Sequence, residues 1–297
     1  MTTRIALATA AEFPDLDEDG PALVEALSGV GLAGEPAVWT DPRIDWSAYA
    51  LVVVRATWDY APRRDEFIAW ADHVASVTRI ANAADVLSWN TDKTYLRALT
   101  EARLPVVPTD WLEPGDTFVA PVHGEYVVKP AVSAGSKDTN RYLAGDHDEL
   151  AAAHALALLA AGRTVMVQPY LHEVDTLGET ALLFFGGEYS HAIGKGPLLT
   201  PAMKPVAAAY KEEQIQTREP SEEERAVAER VLDALAGVSP CRREDLVYAR
   251  VDLVPGHDGP TVLELELTEP SMFLVHDGAG GADASGRFAA AIAKSIG

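Results

Sequence analysis

Three carboxylates stand at strand spacing near the C-terminal end of the chain: Asp252 in Tyr248-Ala-Arg-Val-Asp252, and Glu264 and Glu266 in Val262-Leu-Glu-Leu-Glu-Leu-Thr-Glu-Pro-Ser271. Apolar and polar residues alternate in both stretches, so both read as strands that could lie side by side and gather the three acids on one face. Acids gathered away from water need cations, and hard oxygen donors suit magnesium, which sits between protein carboxylates and substrate phosphates. Arg250, two residues before Asp252 and hence on the same face, adds a guanidinium suited to phosphate. The alternation fits equally a strand whose charged face is solvated, so the upstream pattern has to decide.

Upstream, Glu125-Tyr-Val-Val-Lys-Pro130 reads as a strand ending in Lys129, and Ala131-Val-Ser-Ala-Gly-Ser-Lys137 follows it. Small residues at Ser133, Gly135 and Ser136 allow backbone N–H groups to turn toward phosphate oxygens, with a lysine supplying a point charge. The spacing of a P-loop is missing, as is a G-x-G-x-x-G, so neither that phosphate loop nor a dinucleotide site is supported. Thr164-Val-Met-Val-Gln-Pro-Tyr-Leu171 runs from a strand into a proline-stiffened segment followed by Glu173 and Asp175, suited to hold a planar heterocycle by its amide edge and ribose hydroxyls by a carboxylate. Nearer the N-terminus, Arg55-Ala-Thr-Trp-Asp-Tyr60 leaves the apolar strand Ala50–Val54 at its carboxyl end, where open α/β sheets place ligands. Arg55, Thr57, Trp58 and Tyr60 are therefore candidate substrate contacts, unless the aromatic pair merely packs over the sheet edge.

The elements that must position these groups follow a βαβ rhythm. Strands are expected at Arg4–Thr9, Ala37–Trp39 and Ala50–Val54, and helices at 21–29, 92–102, 149–161, 222–235 and 282–296. Interrupted periodicity at Asn82–Asp85 suggests a boundary there. With 297 residues and 48% hydrophobic content the chain is long enough for several substructures with cores. A net charge of −21 argues against nucleic-acid partners. Cys241 is the single cysteine, so internal disulfides and thiolate metal sites are excluded, which suits a reducing compartment. No apolar run approaches a membrane span and no signal-peptide layout is visible, so the expectation is a cytoplasmic protein without a membrane partner. His147, His154 and His276 lack ligand spacing, and His191 in Ser190-His-Ala-Ile-Gly-Lys195 reads as structural.

Taken in order, Asn90-Thr-Asp-Lys93, Val127-Val-Lys-Pro130, Ser133-Ala-Gly-Ser136, Val167-Gln-Pro-Tyr-Leu171, Tyr248-Ala-Arg-Val-Asp252 and Glu264-Leu-Glu-Leu-Thr-Glu-Pro-Ser271 resemble the ATP-grasp superfamily, in its glutathione synthetase, RimK-like and D-alanine ligase branch. The resemblance implies an α/β chain in which a small pre-ATP-grasp domain (1–88, substrate side) precedes two α+β subdomains (89–166 and 167–297) that grip ATP. It implies an ATP-dependent carboxylate–amine ligase working through an acyl phosphate. Lys93 and Lys129 would contact phosphates, the loop with Ser133, Gly135, Ser136 and Lys137 would close over them, and backbone near Gln168, Tyr170 and Leu171 would hold adenine, with Glu173 on the ribose. Asp252, Glu264 and Glu266 would hold two magnesium ions, and Arg250, Lys195 and Ser271 would serve the transfer itself. Glu266 stands where such ligases usually carry Asn, which keeps a metal donor and adds negative charge.

Along its whole length the chain is also similar to the D-cycloserine synthetases, ATP-grasp cyclo-ligases of antibiotic biosynthesis that close O-ureido-D-serine on itself. The substrate implied is small and amino-acid-like. An intermolecular amino-acid or peptide ligase is the nearest alternative, and a nucleotide-binding regulator without turnover a further one, disfavoured because both lysines and all three carboxylates are present. A homodimer is left open as the assembly.

Overall fold

The computed structural model describes residues 2–197, 199, 214–277 and 284–297. Three sheets follow one another along the chain. The first is parallel, in the order β2-β1-β3-β4, from β1 (Thr3–Thr9), β2 (Leu32–Val38), β3 (Leu51–Val54) and β4 (Arg79–Ala81). Helices α1 (Gly20–Gly29) and α2 (Arg64–Val77) cross between its strands. All four residues of β3 are buried, as a central parallel strand covered on both faces requires. Helix α2 was not among the expected elements, although Phe67, Trp70, Ala71 and Val74 form its buried stripe at helical spacing.

Short helices α3 (Ala84–Asn90) and α4 (Tyr95–Glu101) lead to an antiparallel sheet ordered β5-β8-β6-β7, from β5 (Asp110–Leu112), β6 (Glu125–Pro130), β7 (Asn140–Leu143) and β8 (Val165–Pro169). Helix α5 (Asp148–Ala160) covers one face, where Tyr126, Val128, Tyr142, Val165 and Val167 pack on Ala151, Ala155 and Leu158. Strand alternation then sends Lys129 and its cross-strand neighbour Met166 to the opposite face.

After the single turn α6 (Val174–Leu177) comes the largest sheet, antiparallel in the order β11-β10-β9-β12-β13. Its strands are β9 (Glu179–Phe185), β10 (Glu188–Lys195), β11 (Ile215–Thr217), β12 (Tyr248–Gly256) and β13 (Gly259–Glu266). Helix α7 (Glu222–Val238) covers one face with Val227, Val231, Leu232 and Leu235, and is started by a capping box in which Ser221 and Glu224 satisfy each other's backbone N–H. The C-terminal helix α8 (Ala284–Ile296) joins this sheet to the first: Phe288 stacks on Phe185 at 4.6 Å, in one core with Leu23, Leu27, Ile5 and Leu7.

Several expected boundaries differ. The strand expected through Ser271 stops at Glu266, because Leu267 N–H turns to donate to Asn90 Oδ1 (2.6 Å). The divisions drawn at 88/89 and 166/167 fall inside α3 and β8, each of which is a continuous element. Two stretches that the sequence offers as loops, a candidate substrate loop at 197–210 and the glycine-rich 278–281 before the last helix, lie, apart from Pro197 and Leu199, outside the described residues.

Candidate functional site

The register of β12 on β13 sets Asp252 opposite Glu264 and Arg250 opposite Glu266, so these four side chains share one face while Val251, Leu253 and Leu265 on the other pack under α7. The face is not a bare acid patch. Arg250 donates from Nε to Asp252 Oδ1 (2.8 Å) and from Nη2 to Asp252 Oδ2 (3.0 Å) and Glu266, and Lys195 Nζ donates to Asp252 Oδ2 at 2.6 Å. Lys93 Nζ pairs with Glu264 (2.9 Å) and donates to the Ser133 carbonyl (2.9 Å). Asp252 is the deep member, its side chain 4% exposed, while Glu264 and Glu266, at 24% each, form the mouth.

Charge around these acids is uneven. Burial would raise Asp252, but Arg250 and Lys195 hold it down at about 2. Burial pushes Glu266 upward and repulsion from Asp252 and Glu264 adds to it, so this carboxylate is short of positive charge in spite of Arg250. Glu269, beyond the strand, is driven up to about 8 by burial and then by Glu266. Asp252, Glu264 and Glu266, expected to hold metal together, are each paired with a cation of the chain. Among the described residues no group of three such side chains is arranged to hold a metal by itself. The chain's own ammonium and guanidinium groups fill the positions between the acids. Glu264 and Glu266 still fit a hard cation that takes its remaining ligands from phosphate and water, which is how magnesium is commonly held.

Lys129 is the exception among the buried cations. It is 8% exposed and has no hydrogen bond or ion pair among the described residues. Burial pulls its pKa down to about 8; the Glu264 carboxylate opposes this, and Lys93 reinforces it. An ammonium held dry with no carboxylate in contact is a seat for an anion. The adjoining loop has Ser133 buried, and Gly135, Ser136 and Lys137 exposed at its tip, with Gly135 (φ 61°) and Ser136 (φ 55°) in the left-handed region.

The 168–173 segment divides. Gln168 is buried and its amide donates to Thr109 Oγ1 (2.8 Å), while Tyr170 N–H donates to the Glu125 carbonyl (2.8 Å). Leu171 N–H has no backbone partner among the described residues, and its carbonyl accepts from Val174. Glu173 is exposed at the start of α6. Glu179, missed in the sequence, opens β9 and its charge acts on both Lys129 and Lys195.

Arg141 was also missed. It is 6% exposed, forks onto Glu125 (2.6 and 3.0 Å), reaches Asp175 (3.2 Å) and lies 3.5 Å above the Tyr170 ring. Nothing in Asn140-Arg-Tyr-Leu143 distinguishes it beyond a charge at an inward position of a strand. It fixes the segment that carries Leu171.

The expected substrate contacts are redistributed. Tyr60 is a core residue, buried, with its ring tilted against that of Phe67 at 5.0 Å. Trp58 Nε1 donates to the Glu269 carbonyl (3.0 Å) and its ring meets the edge of Phe13 (5.0 Å). Arg55 does not face a pocket. Its side chain is 1% exposed, pairs with Asp17 (3.3 Å) and Asp19 (4.0 Å), and donates to the Pro270 carbonyl (3.2 Å). Only Thr57 keeps an unengaged group, a buried hydroxyl without a partner among the described residues. Of Ser271, the carbonyl is used, accepting from Arg250 Nη1 at 3.1 Å. Arg55→Ala is expected to lower unfolding stability by about 3–5 kcal/mol, since it strands two buried carboxylates. Chemical denaturation measures this, and a loss below about 1 kcal/mol would show that the pair carries no structural load.

Comparison with known proteins gives three concordant results. The family model of the D-cycloserine synthetase DcsG N-terminal domain matches residues 5–82. The cycloserine biosynthesis protein DcsG of Streptomyces lavendulae is 40% identical over 305 residues, covering 98% of this chain and 98% of that protein. The crystal structure of D-cycloserine synthetase DcsG superposes with a TM-score of 0.85 at 38% identity, covering 99% of this chain and all (100%) of that one. A D-alanine–D-alanine ligase from Bacillus anthracis, solved with ATP, shares the fold at TM-score 0.66 and 14% identity, over 99% of this chain and 97% of that one.

Proposed function

The chain belongs to the D-cycloserine synthetase family of ATP-grasp ligases, and from that premise we propose that it closes O-ureido-D-serine to D-cycloserine, the oxygen lost from the carboxyl leaving in phosphate as ATP becomes ADP and the carbamoyl group of the ureido nitrogen leaving as cyanic acid or, after hydrolysis, carbon dioxide and ammonia. The observation that carries the nucleotide half of this reading is Lys129, a buried ammonium that no carboxylate of the described residues contacts, on the side of the β12–β13 acids. Lys129 and Lys93 would hold ATP phosphates. Glu264 and Glu266 would hold magnesium, which when bound would neutralise phosphate charge. On binding, the Lys93–Glu264 pair would separate into lysine on phosphate and carboxylate on metal, so the ion pairs keep both halves charged until then.

Leu171 N–H would donate to the adenine edge. Arg250, oriented by Asp252 and Glu266, would face the charge that develops as the substrate carboxylate becomes an acyl phosphate. Positioning and charge neutralisation dominate such a transfer, and none of the described residues needs to act as a nucleophile.

The test is incubation with ATP, magnesium and O-ureido-D-serine, followed by mass analysis. D-cycloserine with ADP is expected. Two substrates joined would instead mark an intermolecular ligase, and ATP left intact would refute the ligation. Arg141→Ala should raise KM for ATP about tenfold or more while leaving KM for the amino-acid substrate within about twofold, the cost of losing charge-assisted bonds at the hinge. Initial rates with each substrate varied in turn check it; equal rises in both would mean a general loss of structure.

A further inference from the structure

Helix α5 runs out in Ala160-Ala-Gly-Arg-Thr164. Gly162 takes the left-handed conformation there (φ 76°) and donates to the Leu159 carbonyl at 2.9 Å, while Arg163 N–H donates to the Leu158 carbonyl at 3.1 Å. This glycine-made helix end fixes the backbone of Arg163. Its guanidinium then reaches the loop between β6 and β7 at two points. Nη2 donates to the Val132 carbonyl at 2.8 Å and Nη1 to Asp138 Oδ2 at 2.6 Å. Between those anchors lie Ser133, Gly135, Ser136 and Lys137, so one side chain ties both ends of the loop together. Neither the nucleotide contacts nor the metal acids proposed above include Arg163.

The loop needs such a tie. Gly135 (φ 61°), Ser136 (φ 55°) and Asp138 (φ 57°) are all left-handed, and the two that carry a Cβ persist in that region where their surroundings hold them. The bonds inside the loop are long, from Lys137 N–H to the Ala134 carbonyl (3.3 Å) and from Thr139 N–H to the Ser136 carbonyl (3.2 Å). Its entry is secured next to the same arginine, where Ala131 N–H donates to the Thr164 carbonyl (2.9 Å), and at Ser133, whose carbonyl accepts from Lys93 Nζ (2.9 Å). Asp138 is the one acid between residues 131 and 139, and its pairing with Arg163 keeps that charge from opposing an anion over the loop. We infer that Arg163 is a positioning residue for the nucleotide: by bridging Val132 and Asp138 it holds the loop at the span in which its backbone N–H groups meet the ATP phosphates. A guanidinium suits this task, because two donors in a fixed fork set the separation of the two anchors. The inference rests on the nucleotide reading above and places part of the control of that cleft outside it.

The test uses the full-length enzyme with ATP, magnesium and O-ureido-D-serine. Arg163→Met should raise KM for ATP about 3- to 20-fold, short of the full loss of a buried charged bond because Arg163 and Asp138 are 31% and 40% exposed. KM for the amino-acid substrate should stay within about twofold, and the melting temperature should move by no more than a few degrees. Asp138→Asn should raise KM for ATP less, about 2- to 5-fold, because the bond to Val132 survives. The double variant should be no worse than Arg163→Met alone, since both changes break one bridge. Asp138→Asn also keeps the test open should Arg163→Met not fold. An unchanged KM for ATP in the folded variants, losses that multiply in the double variant, or equal rises for ATP and substrate overturns the bridge and leaves the ligase reading standing. Wild-type enzyme that neither binds nor consumes ATP overturns the nucleotide reading and the bridge together.

Discussion

Glu264→Gln is expected to cut ATP-dependent turnover by roughly 10²- to 10³-fold or more while the protein stays folded, a loss of the size seen when a charge-stabilising group is removed from a transfer site. Glu264 sits at the mouth of the β12–β13 face, partly exposed and paired with Lys93. Neutralising it removes a metal donor and leaves Lys93 its bond to the Ser133 carbonyl. It also relieves repulsion on Glu266, which Glu264 pushes upward. The fold therefore loses little, and the melting temperature should move by only a few degrees. Steady-state ADP release at several magnesium concentrations decides. Near-normal kcat at ordinary magnesium would take the β12–β13 acids out of the mechanism.

The second large effect is expected at Lys129. Lys129→Ala should weaken ATP by about 1.5–3 kcal/mol, the range for hydrogen bonds to a charged partner, and leave the amino-acid substrate untouched. The pH dependence has a definite sign. Because burial pulls the Lys129 pKa down to about 8, the free enzyme carries the ammonium below that pH and loses it above. KM for ATP should therefore rise as pH climbs through about 8, and ATP binding near that pH should take up protons. Folding stability runs the other way: between about 8 and the ordinary lysine value the unfolded chain binds the extra proton, so the cost of burying this charge is relieved as pH rises. Calorimetry in buffers of different ionisation enthalpy tests the uptake. Lys129→Arg should abolish the pH effect, since a guanidinium does not titrate there. A flat KM for ATP from pH 7 to 9 in the unaltered enzyme would place the phosphates elsewhere.

The shared face of acids and cations was legible because its residues recur at strand spacing. Lys129 ends an alternating run, and Asp252, Glu264 and Glu266 fall on two others, so a period of two was enough to forecast one shared face. The helices α5 and α7 were legible for the same local reason. Arg141 and Glu179 were not. Each is one charged residue in a strand, and what distinguishes it is a partner far along the chain: Asp175 and Tyr170 for Arg141, Lys129 and Lys195 for Glu179.

Arg55 shows the limit from the other side. Its place at the carboxyl end of β3 is a local fact and was forecast, and the acidic character of the loop after β1 is plain in the residues themselves. That the two satisfy each other, and that Pro270 closes the group from more than two hundred residues away, follows only from the docking of the first sheet on the segment after β13. The sequence by itself therefore determined which side chains could bind phosphate, metal and a small substrate, and on which elements they sit, because periodicity and residue chemistry are local. The tertiary structure decided which of those charges are already spent on each other and which are left over. Pairing depends on three-dimensional distance and burial, and among the buried cations it leaves the Lys129 ammonium without a carboxylate in contact.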